Sequence, residues 1–351
     1  MDDHQPLAIG IVGYGRIGNE HAGWINASRQ ARVAAIYDPT PQRVALARSN
    51  GLTAVQKMDQ LLDDPTIDAV LIATPTSMHF GQAIAALHAG KHVMVEKPMA
   101  LDLPQSREMA ALAAAKGRVL SVFHCRRWDI DYLTVRQAIA SGQFGKIINI
   151  ESRLGQWSSC VGPAAVEYRP GWRNEASFGG GGLYDWGSHF IDQLWQLLLP
   201  ARPVRVWAQL RGNVWTHDCD DFARVCIDFD NGAVGLCEIN TTTTHPLPRW
   251  HIDGDAGSGD APFSLNFDTR EWAKLTHTAP NGASRLIDLT PRGLNETDIW
   301  DAFALACRGK SPPPIDVASV LVTMTLLDAA RASSAEGRSI DVSTMVREFT
   351  G

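Results

Sequence analysis

The chain has few features that would tie it to a membrane, a nucleic acid or an export route. No stretch approaches the roughly 20 consecutive apolar residues of a membrane-spanning helix. The first residues, Met1-Asp2-Asp3-His4, carry neither a basic run ahead of an apolar core nor a twin arginine, so a secretory signal is not expected. The 32 basic residues are scattered among 38 acidic ones, for a net charge of −6, and form no nucleic-acid-binding run.

Cysteine is also sparse, and its arrangement predicts neither a disulfide framework nor a metal site. The six cysteines form no C-x-x-C pair, which suits a reducing compartment and predicts a cytoplasmic protein. The His217-Asp218-Cys219-Asp220-Asp221 run contains possible metal ligands but no paired ligand motif. We therefore expect no metal, and we expect Asp218–Asp221 to be a solvated turn.

The first third of the 351 residues alternates short apolar runs with helical stretches. Strands are predicted at Leu7–Val12, Arg32–Asp38, Asp68–Thr74, His92–Glu96 and Val119–Phe123. Helices are predicted at Arg16–Ser28, Pro41–Ser49, Phe80–Ala89 and Pro104–Lys116. Such alternation indicates a parallel sheet covered by helices on both faces, that is, a doubly wound Rossmann-type domain over residues 1–125.

The pattern changes after Trp128, and residues 126–351 are predicted to form a second α/β domain. Strand-like stretches follow one another at Lys146–Leu154, Val204–Leu210, Phe222–Phe229, Ala233–Thr241, Trp250–Asp253 and Phe263–Phe267, with Gly254–Gly259 as a loop. Helices are expected at Asp131–Ser141, Leu183–Leu199, Thr297–Cys307 and Val317–Ser334. Strands in series without intervening helices favour a largely antiparallel sheet.

A glycine motif opens the first predicted helix. Gly13-Tyr14-Gly15-Arg16-Ile17-Gly18 matches G-x-G-x-x-G and follows the first apolar run, which is the context that a dinucleotide site requires. Gly13 would permit the tight turn, Gly15 would let the backbone approach a pyrophosphate, and Gly18 would let helix and strand pack closely. The N–H groups at the helix start, near Arg16 and Ile17, would face the phosphates.

Asp38 ends the second predicted strand, twenty residues after Gly18. A carboxylate there can accept hydrogen bonds from a ribose diol and would repel a 2′-phosphate, which favours NAD over NADP. Arg43 lies nearby in the chain and could meet such a phosphate, so use of both cofactors stays open.

Several further motifs together resemble the Gfo/Idh/MocA family of oxidoreductases, named after glucose–fructose oxidoreductase, inositol dehydrogenase and a rhizopine-catabolism protein. The segments that carry the resemblance are Ala89–Pro98 with its Glu96-Lys97-Pro98, Thr74–His79, His124–Asp129, the pair Trp172-Arg173, and Gly180–Asp192. The last is similar to G-G-G-x-L-x-D-x-G-x-H-x-x-D with one residue fewer. Thr76 and Cys125 replace a usual asparagine, and His124–Asp129 is similar to scyllo-inositol dehydrogenase-like members.

The resemblance implies a Rossmann domain followed by an α/β domain with an open, mostly antiparallel sheet. It implies a substrate held between the nicotinamide ring and the second domain, and a homodimer or homotetramer formed through the sheet face. It also implies that Lys97, Asp185 and His189 are the catalytic set. Residues implied to bind the cofactor, beside the glycine motif and Asp38, are Thr74, Pro75, His79, Glu96, Lys97, Trp172 and Arg173.

The residue types themselves suit hydride transfer at a carbinol carbon. Asp185 and His189 lie four positions apart on a predicted helix, so both project from one face. An imidazole can move a proton at neutral pH, and Asp185 can orient it or contact substrate hydroxyls. Lys97 follows a buried strand and can stabilise a developing alkoxide. His124, Trp157 and Arg173 are further candidates for substrate contact, beside Lys97, Asp185 and His189.

These features predict an NAD-dependent dehydrogenase acting on a sugar-like or cyclitol-like polyol. Two alternatives stay open: an NAD-dependent glycosidase of the same fold that oxidises its substrate transiently, and a regulatory protein that binds a dinucleotide without turnover. Fold alone does not decide among them.

Overall fold

The computed structural model describes residues 5–160 and 171–350. Contacts group these residues into two compact units: 5–124 with 171–172 and 294–321, and 125–160 with 173–293 and 322–350. The first unit therefore also takes in 294–321, a segment that comes late in the chain. Within the described ranges, no helix is long and apolar enough to cross a lipid bilayer.

The strands are β1 Leu7–Val12, β2 Ala31–Tyr37, β3 Ala54–Val55, β4 Ala69–Ile72, β5 His92–Val95, β6 Leu120–Val122, β7 Ile147–Gly155, β8 Pro203–Arg211, β9 Phe222–Phe229, β10 Val234–Asn240, β11 Trp250–Gly254, β12 Gly257–Ala261, β13 Thr276–Thr278, β14 Ser284–Leu286 and β15 Ile340–Asp341. The α-helices are α1 Arg16–Ala27, α2 Pro41–Ser49, α3 Met58–Leu62, α4 Thr76–His88, α5 Leu103–Ala115, α6 Ile130–Ala140, α7 Ser188–Leu197, α8 Thr269–Trp272, α9 Glu296–Cys307, α10 Val317–Glu336 and α11 Ser343–Thr350.

The first unit is built on a six-stranded parallel sheet in the order β3-β2-β1-β4-β5-β6. This is the strand order of the Rossmann fold, and it confirms the prediction. Strands β1, β4 and β5 are buried along their whole length, as expected for strands covered on both faces. Residue types at the helix ends fit their positions: Pro41 opens α2, and the Asp102 carboxylate accepts a hydrogen bond from Gln105 N at 2.8 Å at the start of α5.

The second unit contains a nine-stranded sheet in the order β14-β13-β12-β11-β7-β10-β9-β8-β15. Among the strand pairs of the described residues, only β7–β10 is parallel in this sheet, so the prediction of a mostly antiparallel sheet is also confirmed. Helix α7 packs on β7 and β10 on one side of this sheet. The row Trp207, Cys226, Leu236, Glu151 and His251 lies on one face of the sheet and is partly exposed, whereas the adjacent residues on these strands are buried.

Three local predictions were wrong. Phe263–Phe267 is a loop rather than a strand, because Phe267 has a left-handed backbone (φ 51°) and turns its ring onto Trp186. Gly257–Gly259, predicted as loop, belongs to β12, where the missing side chains make room for Phe144 and His277. The helix predicted over Leu183–Leu199 begins as a π-helical turn at Leu183–Gly187 and becomes α7 only at Ser188.

Candidate active site

The glycine motif forms a turn between β1 and α1, and its three glycines meet different constraints. Gly13 has φ 94°, and a Cβ there would lie 2.7 Å from Ala73 O. A Cβ on Gly18 would lie 2.1 Å from Gly13 O, so close packing of helix and strand excludes any side chain. Gly15 has an ordinary φ of −68°, and a Cβ on it would meet no atom of the chain within 4 Å. Only an approaching ligand would explain a requirement for glycine at this position, which fits a dinucleotide pyrophosphate.

Asp38 holds this turn in place. One carboxylate oxygen accepts a hydrogen bond from Tyr14 N at 2.7 Å, and the other accepts one from Thr40 N at 2.8 Å. Each oxygen keeps acceptor capacity for a ribose hydroxyl, since a carboxylate offers about four lone-pair sites. Arg43 is buried and donates to Tyr14 O at 3.3 Å, so it too packs against the glycine turn.

His79 joins two backbone segments of the first unit. Its ring lies on α4, is buried, and places Nδ1 2.9 Å from Pro98 O and Nε2 2.9 Å from Thr74 O. Burial lowers the pKa of His79, although the two carbonyls and Glu96 favour its charged form. Both ring nitrogens thus face the protein backbone, and the ring positions the loops after β4 and β5. Thr74 in turn lies against Gly13, and Pro75 leads into α4.

Glu96 belongs to a buried polar chain beside Lys97. One carboxylate oxygen lies 2.8 Å from His21 Nε2, and the other accepts from Lys97 N at 3.1 Å. Trp300 Nε1 donates to His21 Nδ1 at 3.1 Å, so Nε2 carries the proton that is donated to Glu96. Burial alone would raise the pKa of Glu96, but the His21 bond and the Lys97 charge outweigh it and lower that pKa. Glu96 is therefore a carboxylate that fixes the backbone at Lys97.

Sequence reasoning identified Glu96 but missed His21 and Trp300. Neither residue belongs to a motif, and Trp300 lies on α9, far along the chain from α1. Lys97 itself follows β5 and is partly exposed. His124, two residues after β6, is buried (2% exposed), and Trp172 is partly exposed in a 3₁₀ turn. For His124 and Trp172, ligand contact stays a prediction.

In the second unit, the glycine run leads directly into the turn that carries the candidate catalytic pair. Asp185 lies in the π-helical turn Leu183–Gly187, and His189 lies in the first turn of α7. Single π-helical turns inside helices are frequently found at functional sites. Asp185 is about one-fifth exposed, and His189 is 7% exposed. The two residues thus lie on adjoining turns, as the predicted helix required, although the first turn is wider than an α-helical one.

Arg173 supplies the positive charge next to Asp185. Its Nε lies 3.6 Å from Asp185 Oδ1, and both side chains are mostly buried. The structure therefore brings together two residues that the sequence placed in separate motifs. Trp157, the third candidate in this unit, is 55% exposed and packs edge-to-face on Trp215 at 5.4 Å.

The acidic run Asp218–Asp221 was predicted to be a solvated turn, and for two of its residues that was wrong. Asp221 is 3% exposed and accepts hydrogen bonds from Val214 N and Trp215 N at 2.8 and 3.0 Å. Asp220 accepts one from Leu183 N at 2.7 Å, at the start of the π-helical turn. Sequence analysis missed these bonds because Asp221 binds backbone earlier in its own loop, whereas the partner of Asp220 lies in another element. Among the four residues of the run, Asp218 is the exposed one.

Two arginines of the segment Cys125–Trp128 support the same helix, and sequence analysis gave neither a role. Arg127 makes a bidentate pair with Asp192 on α7, at 2.8 and 2.7 Å. The Arg126 guanidinium lies 4.8 Å from the centre of the Trp186 ring and pairs with Asp129 at 2.8 Å. Burial raises the pKa of Asp129 to about 6, against the opposing effect of Arg126. These contacts hold the π-helical turn from one side.

Comparison with known proteins agrees with both units. Residues 7–124 match the family model for the oxidoreductase family with an NAD-binding Rossmann fold (GFO_IDH_MocA), and residues 132–259 match the GFO/IDH/MocA C-terminal domain. The uncharacterized oxidoreductase YdgJ of Escherichia coli is 36% identical over 60% of each chain, so the alignment spans less than two thirds of that relative.

Longer alignments exist with other relatives. An uncharacterized oxidoreductase of Schizosaccharomyces pombe is 31% identical over 81% of this chain and 84% of its own length. The scyllo-inositol 2-dehydrogenase (NAD(+)) of Bacillus subtilis is 29% identical over 99% of both chains. A crystal structure of an NAD-binding protein from Listeria innocua superposes with a TM-score of 0.86 at 27% identity, covering 96% of this chain and 97% of that one.

The two family models together match more than half of the 351 residues. The chain belongs to the Gfo/Idh/MocA family of oxidoreductases.

Proposed function

We propose that the protein is an NAD-dependent dehydrogenase that transfers a hydride between the nicotinamide and a CH–OH carbon of a sugar or cyclitol. The observation that carries this proposal is the Gly13–Gly18 turn. Gly15 is a glycine without a packing reason, and Asp38 is hydrogen-bonded to the backbone inside the same turn. That arrangement suits a dinucleotide whose adenosine ribose carries free hydroxyls.

NAD supplies hydride acceptance and donation when bound, and the residues that would hold it are the glycine turn, Asp38 and the segments at Thr74 and Glu96. Trp172 and Arg173 are proposed to add contacts to it. The two ring nitrogens of His79 contact Thr74 O and Pro98 O, so His79 is proposed to contribute by positioning these loops rather than by contacting the cofactor through a ring nitrogen. NADP is the less favoured cofactor, because a 2′-phosphate near Asp38 would meet a carboxylate.

In the proposed mechanism, His189 takes the proton from the substrate hydroxyl oxygen on an imidazole nitrogen. The Lys97 ammonium stabilises the oxygen as negative charge develops on it, and Glu96 keeps the Lys97 backbone in place. Asp185 orients the substrate hydroxyls or the imidazole, with Arg173 balancing its charge. Reduction of a carbonyl runs the same proton transfer in reverse.

The substrate class is supported by relatives of stated activity. A 1,5-anhydro-D-fructose reductase of Ensifer adhaerens is 27% identical over 95% of this chain, and the inositol dehydrogenase described above matches at full length. Substrate contacts are proposed for His124, Trp157 and Arg173, beside Lys97, Asp185 and His189. The exposed Trp157 ring can pack on the C–H face of a sugar ring.

The test is a panel of inositols, aldoses and glycosides offered with NAD and with NADP, while the absorbance of the reduced cofactor is followed. A dehydrogenase accumulates reduced cofactor with a free polyol and needs no glycoside. Cleavage of a glycoside without net accumulation would identify the transient-oxidation glycosidase instead. NAD binding without turnover of any substrate would favour the regulatory alternative.

We also propose that the protein is a homodimer or homotetramer formed through the partly exposed face of the nine-stranded sheet. Trp207 on β8 is 36% exposed and Val234 on β10 is 37% exposed. Both lie on this face, on the two strands that flank β9, and exposed apolar residues grouped on one face often mark an interface. Native mass spectrometry of the wild type and of Trp207→Glu tests this. A monomeric wild type would refute the proposal. An unchanged oligomeric state in Trp207→Glu would show that this face of the sheet is not the interface.

A further inference from the structure

The start of the helix that carries Asp185 and His189 is built around the carboxyl group of one half-buried aspartate, Asp220. Asp220 Oδ2 accepts a hydrogen bond from Leu183 N at 2.7 Å, and Asp220 O accepts one from Gly182 N at 2.9 Å. Asp220 therefore accepts from the N–H of Leu183, the first residue of the π-helical turn, and from that of Gly182 just before it. Asp185 N donates to Gly181 O at 3.0 Å, which ties the same turn to the glycine run.

The glycines before this turn are explained by the same contact. Gly181 has φ 103°, and a Cβ on it would lie 2.3 Å from Asp220 Oδ1. A Cβ on Gly182 would lie 3.3 Å from Asp220 Oδ2 and 2.9 Å from Ile239. The glycine run thus lets the backbone approach the Asp220 carboxyl group closely, so the position of that group and the path of the chain into Asp185 are fixed together.

We infer that Asp220 is a positioning residue for catalysis, because its carboxyl group sets the turn from which Asp185 and His189 project. The inference rests on the proposed function, since it assigns Asp220 an effect exerted through those two residues. Asp220 is not proposed to contact the substrate or the cofactor directly.

The protonation of Asp220 adds a measurable signature. Burial raises its pKa to about 7, the Asp221 charge acts in the same direction, and the bonds from Leu183 N and Gly182 N act against it. Its own loop also brings Asp218, Cys219 and His217 to the cavity of about 350 Å³ that Asp220 lines. Tyr184, Arg211 and Arg331 face the same cavity from the π-helical turn, β8 and α10.

Linkage gives the direction of the pH effect on the turn. While the π-helical turn is bonded to Asp220, which we call the closed turn, the Asp220 carboxyl group has a pKa of about 7. A solvated aspartate has a pKa of about 4. Opening the turn therefore releases a proton. The resulting stabilisation of the closed turn is complete below about pH 4, falls as the pH rises towards about 7, and changes no further above that.

The chain offers a matched set of variants. Asp220→Ala removes the acceptor, Asp220→Asn keeps an acceptor of the same shape that cannot ionise, and Asp221→Ala removes the neighbouring buried carboxyl group, which binds Val214 N and Trp215 N instead. We expect Asp220→Ala to lower kcat at least about tenfold with unchanged NAD affinity. Asp220→Asn should keep kcat within about twofold, and so should Asp221→Ala, despite comparable losses of thermal stability in the two alanine variants.

Hydrogen exchange of the wild type supplies a readout that does not depend on activity. After correction for intrinsic exchange, protection of segment 183–187 should fall between pH 5 and about pH 7 and then level off, relative to β7. Asp220→Asn should abolish this dependence. Equal kcat losses in Asp220→Ala and Asp221→Ala, an unchanged kcat in Asp220→Ala, or pH-independent protection in the wild type would overturn the inference. A wild type without turnover but with the expected exchange profile would count against the proposed function alone.

Discussion

The two glycines at the start of α1 provide a paired test of whether the turn binds a dinucleotide. Gly15→Ala adds a methyl group where no atom of the chain lies within 4 Å, at a φ of −68° that alanine adopts easily. Gly18→Ala adds one 2.1 Å from Gly13 O, and that atom belongs to backbone that cannot rotate away. The same added methyl group should therefore affect cofactor binding in Gly15→Ala and the stability of the fold in Gly18→Ala.

The expected magnitudes follow from these distances. Alanine is a poorer N-cap than glycine by at most about 1 kcal/mol, so Gly15→Ala should change the free energy of unfolding by no more than that. Its Cβ would nevertheless stand between the backbone and a pyrophosphate, and the loss of one or two phosphate hydrogen bonds should weaken NAD binding at least about tenfold, or about 1.4 kcal/mol. Gly18→Ala should destabilise the fold by about 1–3 kcal/mol through overpacking.

Urea unfolding followed by fluorescence gives the stabilities, and isothermal titration calorimetry with NAD gives the affinities. The wild type and Gly23→Ala serve as references, because Gly23 also lies on α1 and a Cβ there would meet nothing within 4 Å. If Gly15→Ala bound NAD as tightly as Gly23→Ala does, the backbone at Gly15 would not approach the cofactor and the reasoning would be refuted.

Three further outcomes are expected. Lys97→Ala and His189→Ala should each lower kcat at least about a hundredfold, while the Kd for NAD stays within about threefold of the wild-type value. Steady-state kinetics and calorimetry measure these two quantities. Full activity in either variant would show that the residue has no part in the mechanism. Asp38→Asn keeps an acceptor for Tyr14 N but removes the charge, so the ratio of kcat/KM for NADP to that for NAD should rise at least about tenfold, and an unchanged ratio would argue against a role in cofactor choice. Burial lowers the pKa of His251, but its bonds to Asp260 and Asp253 outweigh burial and raise that pKa overall. The charged imidazole therefore stabilises the folded state below about pH 6.5, and this contribution is lost as the pH rises through the folded-state pKa. His251→Gln should flatten that part of the plot of melting temperature against pH.

The sequence by itself determined the parts of this protein that depend on neighbours along the chain. The apolar run Leu7–Val12, the glycine turn and the helix after it form a local unit, because hydrophobic periodicity and the φ preference of glycine act over a few residues. The position of Asp38 at a strand end, the parallel character of the first sheet and the mostly antiparallel second sheet followed from the same kind of pattern. The candidates Lys97, Asp185 and His189 came instead from the resemblance to the family's motifs, and their catalytic roles stay predictions.

Only the tertiary structure decided which polar residues become buried partners. The His21–Glu96 pair joins positions 75 apart in the chain, and Trp300 completes it from α9. The sequence predicts a solvated Asp220, whereas in the structure its carboxyl group accepts a hydrogen bond from Leu183 N. Burial and hydrogen bonding of these residues depend on which segments contact each other in the folded chain, and hydrophobic periodicity does not predict such long-range contacts. Phe263–Phe267 shows the same limit for secondary structure, because packing of Phe267 on Trp186 overrode the strand preference of an aromatic run.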